Sequence, residues 1–234
     1  MVKIILFDLD GTLLPMDQDR FIQAYLGKMQ KKMAPHGYDP ELLAKSIWKG
    51  TGAMVMNDGS ISNEELFWKV FSSAMGRDAR ADEAIFISFY EKEFQTVKEH
   101  CGFHPMAAET IRMLKDRDYR VVLATNPLFP AIATYSRARW AGLNPEDFEL
   151  ITTYENSRHC KPNLEYYRDI LATLKVDPQD CLMVGNDVGE DMIAEQLGMQ
   201  VFLLTDCMIN KACSDISRYP QGSFTELIKF LQEL

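Results

Sequence analysis

Five stretches of the chain are almost continuously apolar and too short for an ordinary helix. Val2 to Phe7, broken only by Lys3, runs straight into Asp8. Tyr119 to Asn126, Cys181 to Asp187 and Gln200 to Asp206 have the same form, and Phe148 to Tyr154 is a weaker example. Runs of this kind predict strands buried on both faces, as in a parallel sheet. The four stronger ones finish in, or run into, Asp or Asn.

Between these runs the apolar positions change to a helical period. Met106 to Arg117, Pro130 to Ala141, Asn163 to Leu174, Gly189 to Leu197 and Phe224 to Leu234 are predicted helices, two of them stopped by Gly142 and Gly198. From about residue 101 onward, strand and helix therefore alternate, which means βαβ units and a parallel sheet with helices on both faces. Ligands of such sheets bind beyond the carboxyl ends of the strands, where the polar residues fall.

Residues 17–100 follow a different pattern. They hold no strand-like run, but helical periods at Asp19 to Ala34, Pro40 to Lys49, Asn63 to Met75 and Asp82 to Val97. The expected architecture is α/β: a Rossmann-like core of residues 1–16 and 101–234, with an all-helical cap domain of residues 17–100 inserted after the first strand. The stretch Lys49 to Ser62 carries three glycines and reads as a loop between two cap helices, placed to meet a substrate. Trp48, Phe67, Trp68 and Phe71 read as core of the insert.

Composition narrows the function classes. The 234 residues carry a formal net charge of −9, which argues against nucleic acid or anionic lipid as partners. No apolar run approaches the ~20 residues of a membrane-spanning helix, and the start of the chain turns acidic too soon for a secretory signal. Five cysteines without metal-type spacing read as reduced thiols in a cytoplasmic protein. The four histidines form no cluster at metal spacing.

The chemistry concentrates at four places. In Asp8-Leu9-Asp10-Gly11-Thr12, alternation along extended chain points Asp8 and Asp10 the same way, and Gly11 permits a sharp turn. Thr125 and Asn126 end the second run. Lys161 precedes a helix. Asp187 ends another strand, with Asp191 four residues on and able to reach the same site. Each residue alone has a plainer reading, as a turn residue, a helix cap or a solvated charge. Together they put several carboxylates, a hydroxyl, an amide and an ammonium at one sheet edge. Such a set fits a hard cation and a phosphoryl group, and a cation relieves the repulsion between the paired aspartates.

These motifs, in this order, resemble the haloacid dehalogenase-like hydrolase superfamily, and the helical insert resembles the cap of its phosphoglycolate phosphatase and β-phosphoglucomutase branch. The resemblance implies a Mg²⁺-dependent phosphatase acting on a small phosphorylated metabolite. Asp8 would be the nucleophile. Asp10 would be the acid–base residue, with a backbone carbonyl on the metal. Thr125, Asn126 and Lys161 would hold the phosphoryl oxygens. Asp187 would join Asp8 on the metal, and Asp191 would orient Lys161 or a metal-bound water. The fourth motif departs from the family pattern, reading Gly-Asn-Asp; the four-residue spacing to Asp191 selects Asp187. Asp10 argues against halide- and phosphonate-cleaving relatives, which lack it. A phosphomutase and a non-catalytic binding protein of the same fold are the alternatives.

Overall fold

The computed structural model describes residues 2–234. Six strands, β1 (Ile4–Phe7), β2 (Arg120–Leu123), β3 (Leu150–Ile151), β4 (Cys181–Gly185), β5 (Gln200–Leu204) and β6 (Gln221–Gly222), form one sheet in the order 3-2-1-4-5-6. Every pairing is parallel. The central strand β1 aligns Phe7 with Leu123 on one side and with Val184 on the other. The residues after β1, β2 and β4 therefore emerge side by side. The strand order reverses between β1 and β4, the place where open α/β sheets leave a crevice.

The apolar runs are explained by two-sided burial. Ile5, Phe7, Val121, Leu123, Leu182 and Val184 face one core, while Ile4, Leu6, Val122, Cys181 and Met183 face the other. Helices α5 (Met106–Asp116), α6 (Ala131–Trp140) and α8 (Phe224–Gln232) contribute to the first core, and α7 (Leu164–Leu174) covers the second through Tyr166, Tyr167 and Ile170.

Residues 17–100 form α1 (Gln18–Met33), α2 (Pro40–Val55), α3 (Asn63–Met75), α4 (Glu83–Glu91) and a 3₁₀ segment, Glu93–His100. Local signals set the starts. Asp17 caps α1, Asp39 caps α2 with Pro40 behind it, and Ser62 with Glu65 makes a reciprocal capping box on α3. The chain enters and leaves this segment side by side, bridged antiparallel at Met16 and Cys101, with Gly102 N–H donating to the Pro15 carbonyl at 2.6 Å. The segment is packed onto the sheet layer: Phe94 lies 4.9 Å from Trp140, and Phe21 lies 6.1 Å from Phe129.

Several sequence expectations are corrected. The stretch Lys49 to Ser62 is not all loop, since α2 continues to Val55. Of the two glycines inside it, Gly50 is a packing position: a Cβ there would sit 2.7 Å from the Phe67 ring of α3. The helix expected to Val97 breaks at Lys92, whose φ and ψ are −117° and −80°, and continues as 3₁₀. Residues 192–197 are likewise 3₁₀ rather than α-helix. The weak run at 148–154 pairs over only two residues, and β6 has no apolar signature at all. Trp48 is 52% exposed, not core, whereas Trp68 and Phe71 are buried. All five cysteines are free thiols, and among the described residues no helix is long and apolar enough to cross a membrane.

Candidate active site

Asp8 leaves β1 buried, and the turn that follows it is set by Gly11. That residue has φ +89°, and a Cβ there would fall 2.3 Å from the Asn186 amide nitrogen. The turn brings the Thr12 hydroxyl to 2.9 Å from Asn186 Oδ1 and 3.3 Å from Asp8 Oδ2. Its one proton is thus shared between the ends of β1 and β4.

Lys161 lies beneath these residues, fully buried. Its ammonium donates to Asp8 Oδ1 at 3.0 Å and to Asp191 Oδ1 at 2.6 Å. Burial alone would lower the lysine pKa, but Asp191 and Asp8 outweigh it and hold the group well above its ordinary value, so it stays charged. Asp191 Oδ2 accepts the Asp187 backbone N–H at 2.9 Å. Burial pushes the Asp191 carboxyl up, against the pull of Lys161. Gly185, at the end of β4, makes room for this carboxylate: a Cβ there would lie 2.1 Å from Asp191 Oδ2.

A cavity of about 140 Å³ opens above this layer. Asp8, Asp10, Thr125, Asn126, Asp187 and Asp191 all line it, with Asn186 and Glu190 beside them. Six of the seven residues singled out in the sequence therefore converge on one space; Lys161 reaches it only through Asp8 and Asp191. Among the described residues, no Lys, Arg or His lines the cavity. Asp187 Oδ1 accepts the Gly189 and Glu190 backbone N–H groups at 2.8 and 3.0 Å. The Thr125 carbonyl accepts from Thr152 Oγ1 and the Tyr166 hydroxyl, which fixes the end of β2.

Three site residues were not found in the sequence. Arg137 of α6, 1% exposed, pairs through Nη1 with Asp10 Oδ2 and stacks 4.4 Å from the Phe129 ring. Burial raises the Asp10 pKa most strongly; Arg137 draws it back, and Asp8 pushes it up. Asn186 is a strut, donating to the Cys207 carbonyl at 2.7 Å while accepting from Thr12. Glu190 accepts from Asn126 Nδ2 at 2.9 Å, and its carboxyl is pushed up to about 6, chiefly by burial. For Glu190 the signal was present: it is an acid of the same "NDVGED" turn, between Asp187 and Asp191.

A model of the haloacid dehalogenase-like hydrolases matches residues 2–196. The chain belongs to that family. A phosphoglycolate phosphatase from Colwellia psychrerythraea is 24% identical to it, over 87% of this chain and 84% of its own length. A pyrophosphatase, PpaX, from Bacillus cereus is 25% identical over 80% of this chain and 75% of its own. Among solved structures, a HAD phosphatase from Thermococcus onnurineus shares the fold, with a TM-score of 0.61 at 18% identity over 98% of both chains.

A phosphatase of this family would need a divalent metal. Among the described residues no three His, Cys, Asp or Glu side chains stand in ligating array. A Mg²⁺ site needs less, because one or two carboxylates suffice when substrate oxygens and water complete the octahedron. The residues present fit that demand. Asp8 and Asp187 face one cavity without a lining cation, and Asp10 Oδ1 is buried with no hydrogen-bond partner.

Proposed function

We propose that this haloacid dehalogenase-like hydrolase is a Mg²⁺-dependent phosphatase of small phosphate monoesters that works through an aspartyl-phosphate on Asp8. One observation carries the reading. Two carboxylates from one strand end share a cavity, each paired with its own buried cation but differently placed. Asp8 accepts from Lys161 and Thr12, while Asp10 meets Arg137 through Oδ2, keeps Oδ1 buried without a partner, and is pushed up chiefly by burial. Pairs of acids whose surroundings separate their roles are the mark of a nucleophile beside an acid–base residue.

In the first step an Asp8 carboxylate oxygen bonds to phosphorus and the ester P–O bond breaks. Asp10 gives its proton to the departing alkoxide oxygen. In the second step water attacks the same phosphorus, Asp10 takes back a proton, and the Asp8–phosphorus bond breaks to release phosphate. Phosphoryl transfer asks mainly for positioning and charge stabilisation. Lys161 supplies fixed positive charge beneath Asp8, and the Thr125 hydroxyl and Asn126 face the transferred oxygens. Mg²⁺, held by Asp8, the Asp10 backbone carbonyl and Asp187, would neutralise phosphoryl and carboxylate charge. Arg137 keeps Asp10 oriented, and Asp191 keeps Lys161 oriented.

The segment 17–100 serves in this reading as the cap that shields the reaction from water. The residues it sends to the cavity are Gln18, Phe21 and Ile22 of α1, not the stretch 56–62. The test is hydrolysis of an aryl phosphate after chelation. Activity should be lost, return with Mg²⁺ and return poorly with Ca²⁺, whose looser geometry misplaces the nucleophile. Full activity in excess chelator would reject the metal.

A further inference from the structure

Beside the acidic cavity lies a second one of about 140 Å³, between α1, α2, α3, α4 and the loop after β2. The two adjoin, with Ile22, Leu128 and Phe129 lining both. The second cavity is apolar, with Met29, Phe67, Trp68 and Phe86 among its lining. Its hydroxyls include those of Tyr25 and Tyr90, which bond to each other at 3.0 Å. Among the described residues its one charged lining residue is Glu83, which lies 3.6 Å from the Arg80 guanidinium. The exposed side chains of Trp48 and Ile87 form part of the lining.

Two facts bear on what fits here. Among the described residues, no Lys, Arg or His lines either cavity. A substrate whose leaving group carries a carboxylate or a second phosphoryl group would find no cation to meet it, and desolvating an unpaired anion is costly. The apolar volume is also close to the ~150 Å³ cavity that admits a benzene ring in a protein interior. We infer that this apolar cavity receives the leaving group, and that the substrate is a phosphate monoester of an uncharged alcohol bearing one aromatic ring or a branched alkyl group of similar bulk. The inference rests on the proposed phosphatase activity. It separates this chain from its relatives named for phosphoglycolate and pyrophosphate, whose leaving groups are anionic.

The experiment uses the full-length protein with Mg²⁺ and a series of primary alkyl phosphates: ethyl, benzyl, 2-phenylethyl and 3-phenylpropyl, with phosphoglycolate and pyrophosphate for comparison. Primary alkyl leaving groups keep the chemical step closely matched. The best phenylalkyl ester should exceed ethyl phosphate and phosphoglycolate in kcat/KM by ~10- to 100-fold, the worth of burying one ring. That ratio should collapse in Thr51→Phe, which fills the cavity, and in Ile87→Glu, which places a charge at an exposed lining position. In parallel, the matching phenylalkanol should titrate tryptophan fluorescence saturably, because Trp48 and Trp68 line the cavity. A flat series, a preference for phosphoglycolate or pyrophosphate, or a ring preference surviving both variants would overturn the inference while leaving the phosphatase reading intact. A dimer that dissociates in Ile87→Glu would also overturn it, giving the cavity to a second copy of the chain. No turnover of any ester, with the alcohol still binding, would instead overturn the phosphatase reading and with it the leaving-group role.

Discussion

Arg137 carries a full charge in a position 1% exposed, and its ionic partner is Asp10. Removing one member of such a pair strands the other. Arg137→Met should therefore cost ~3–5 kcal/mol in urea unfolding. Part of that should return in the double variant with Asp10→Asn, which no longer needs a cation; strict additivity would show that the pair is not coupled. Asp10→Asn alone keeps an oxygen that accepts from Arg137, so the protein should fold. Its kcat should fall by ~10²–10⁴, and less for an aryl than an alkyl phosphate, because aryl oxygens need less protonation to leave. Equal losses on both esters would count against Asp10 as the acid. Asp8, Asp10, Thr125 and Asp187 were legible in the sequence because each sits at or near the end of an apolar run, where a polar side chain stands out; Lys161, in a polar stretch before a helix, stood out only beside them. Arg137 was not. It lies in a helix of small and polar residues, where a buried arginine and a solvated one look alike in one dimension.

The loop before Lys161 is tied to the helical insert by Asn63, fully buried at the start of α3. Its amide nitrogen lies 3.4 Å from the Pro127 and His159 carbonyls and 3.3 Å from Cys160 Sγ, while its oxygen accepts from Asn57 at 2.8 Å. One side chain thus joins the loop after β2, the loop carrying Lys161 and the segment after α2. Asn63→Ala leaves these buried groups unpaired and should cost ~1–3 kcal/mol; a change under a few tenths would show that water replaces the amide without loss. Strands β1, β2, β4 and β5 were readable because two-sided burial leaves little choice of residue. The end of α2 was not, because a glycine chosen to admit the Phe67 ring looks the same as one chosen for a loop. The two-residue strands β3 and β6 are fixed by their neighbours, a tertiary effect no local pattern carries.

At the scale of the whole molecule, one apolar cluster runs from the sheet face through α6 into α1, α4 and the 3₁₀ segment. The sequence places the ends of the helical insert near residues 16 and 101, where Met16 and Cys101 bridge, but an aromatic position does not say across which boundary it packs. This shared core should make the insert and the sheet layer unfold together. Urea transitions followed by tryptophan fluorescence, with Trp48 and Trp68 in the insert and Trp140 in α6, should coincide with those followed by far-ultraviolet circular dichroism. Two separated transitions would mean that the insert folds as its own unit. A cavity edged by Asp8, Asp187 and Glu190 without a lining cation should also gain thermal stability from Mg²⁺ in proportion to the logarithm of its concentration above Kd. Asp187→Asn should weaken that response, and an unchanged response would remove Asp187 from the metal.

The central claim is that Asp8 forms a covalent bond to phosphorus. Rapid acid quench of the Asp10→Asn variant during turnover of an aryl phosphate, followed by mass spectrometry of its peptides, tests it directly. If Asp10 activates the water, the second step should be slowed in that variant, and phosphate should accumulate on the peptide containing Asp8. The same experiment on Asp8→Asn should yield no phosphopeptide and no turnover. Substantial turnover by Asp8→Asn, or phosphate trapped on any other residue, would contradict the mechanism.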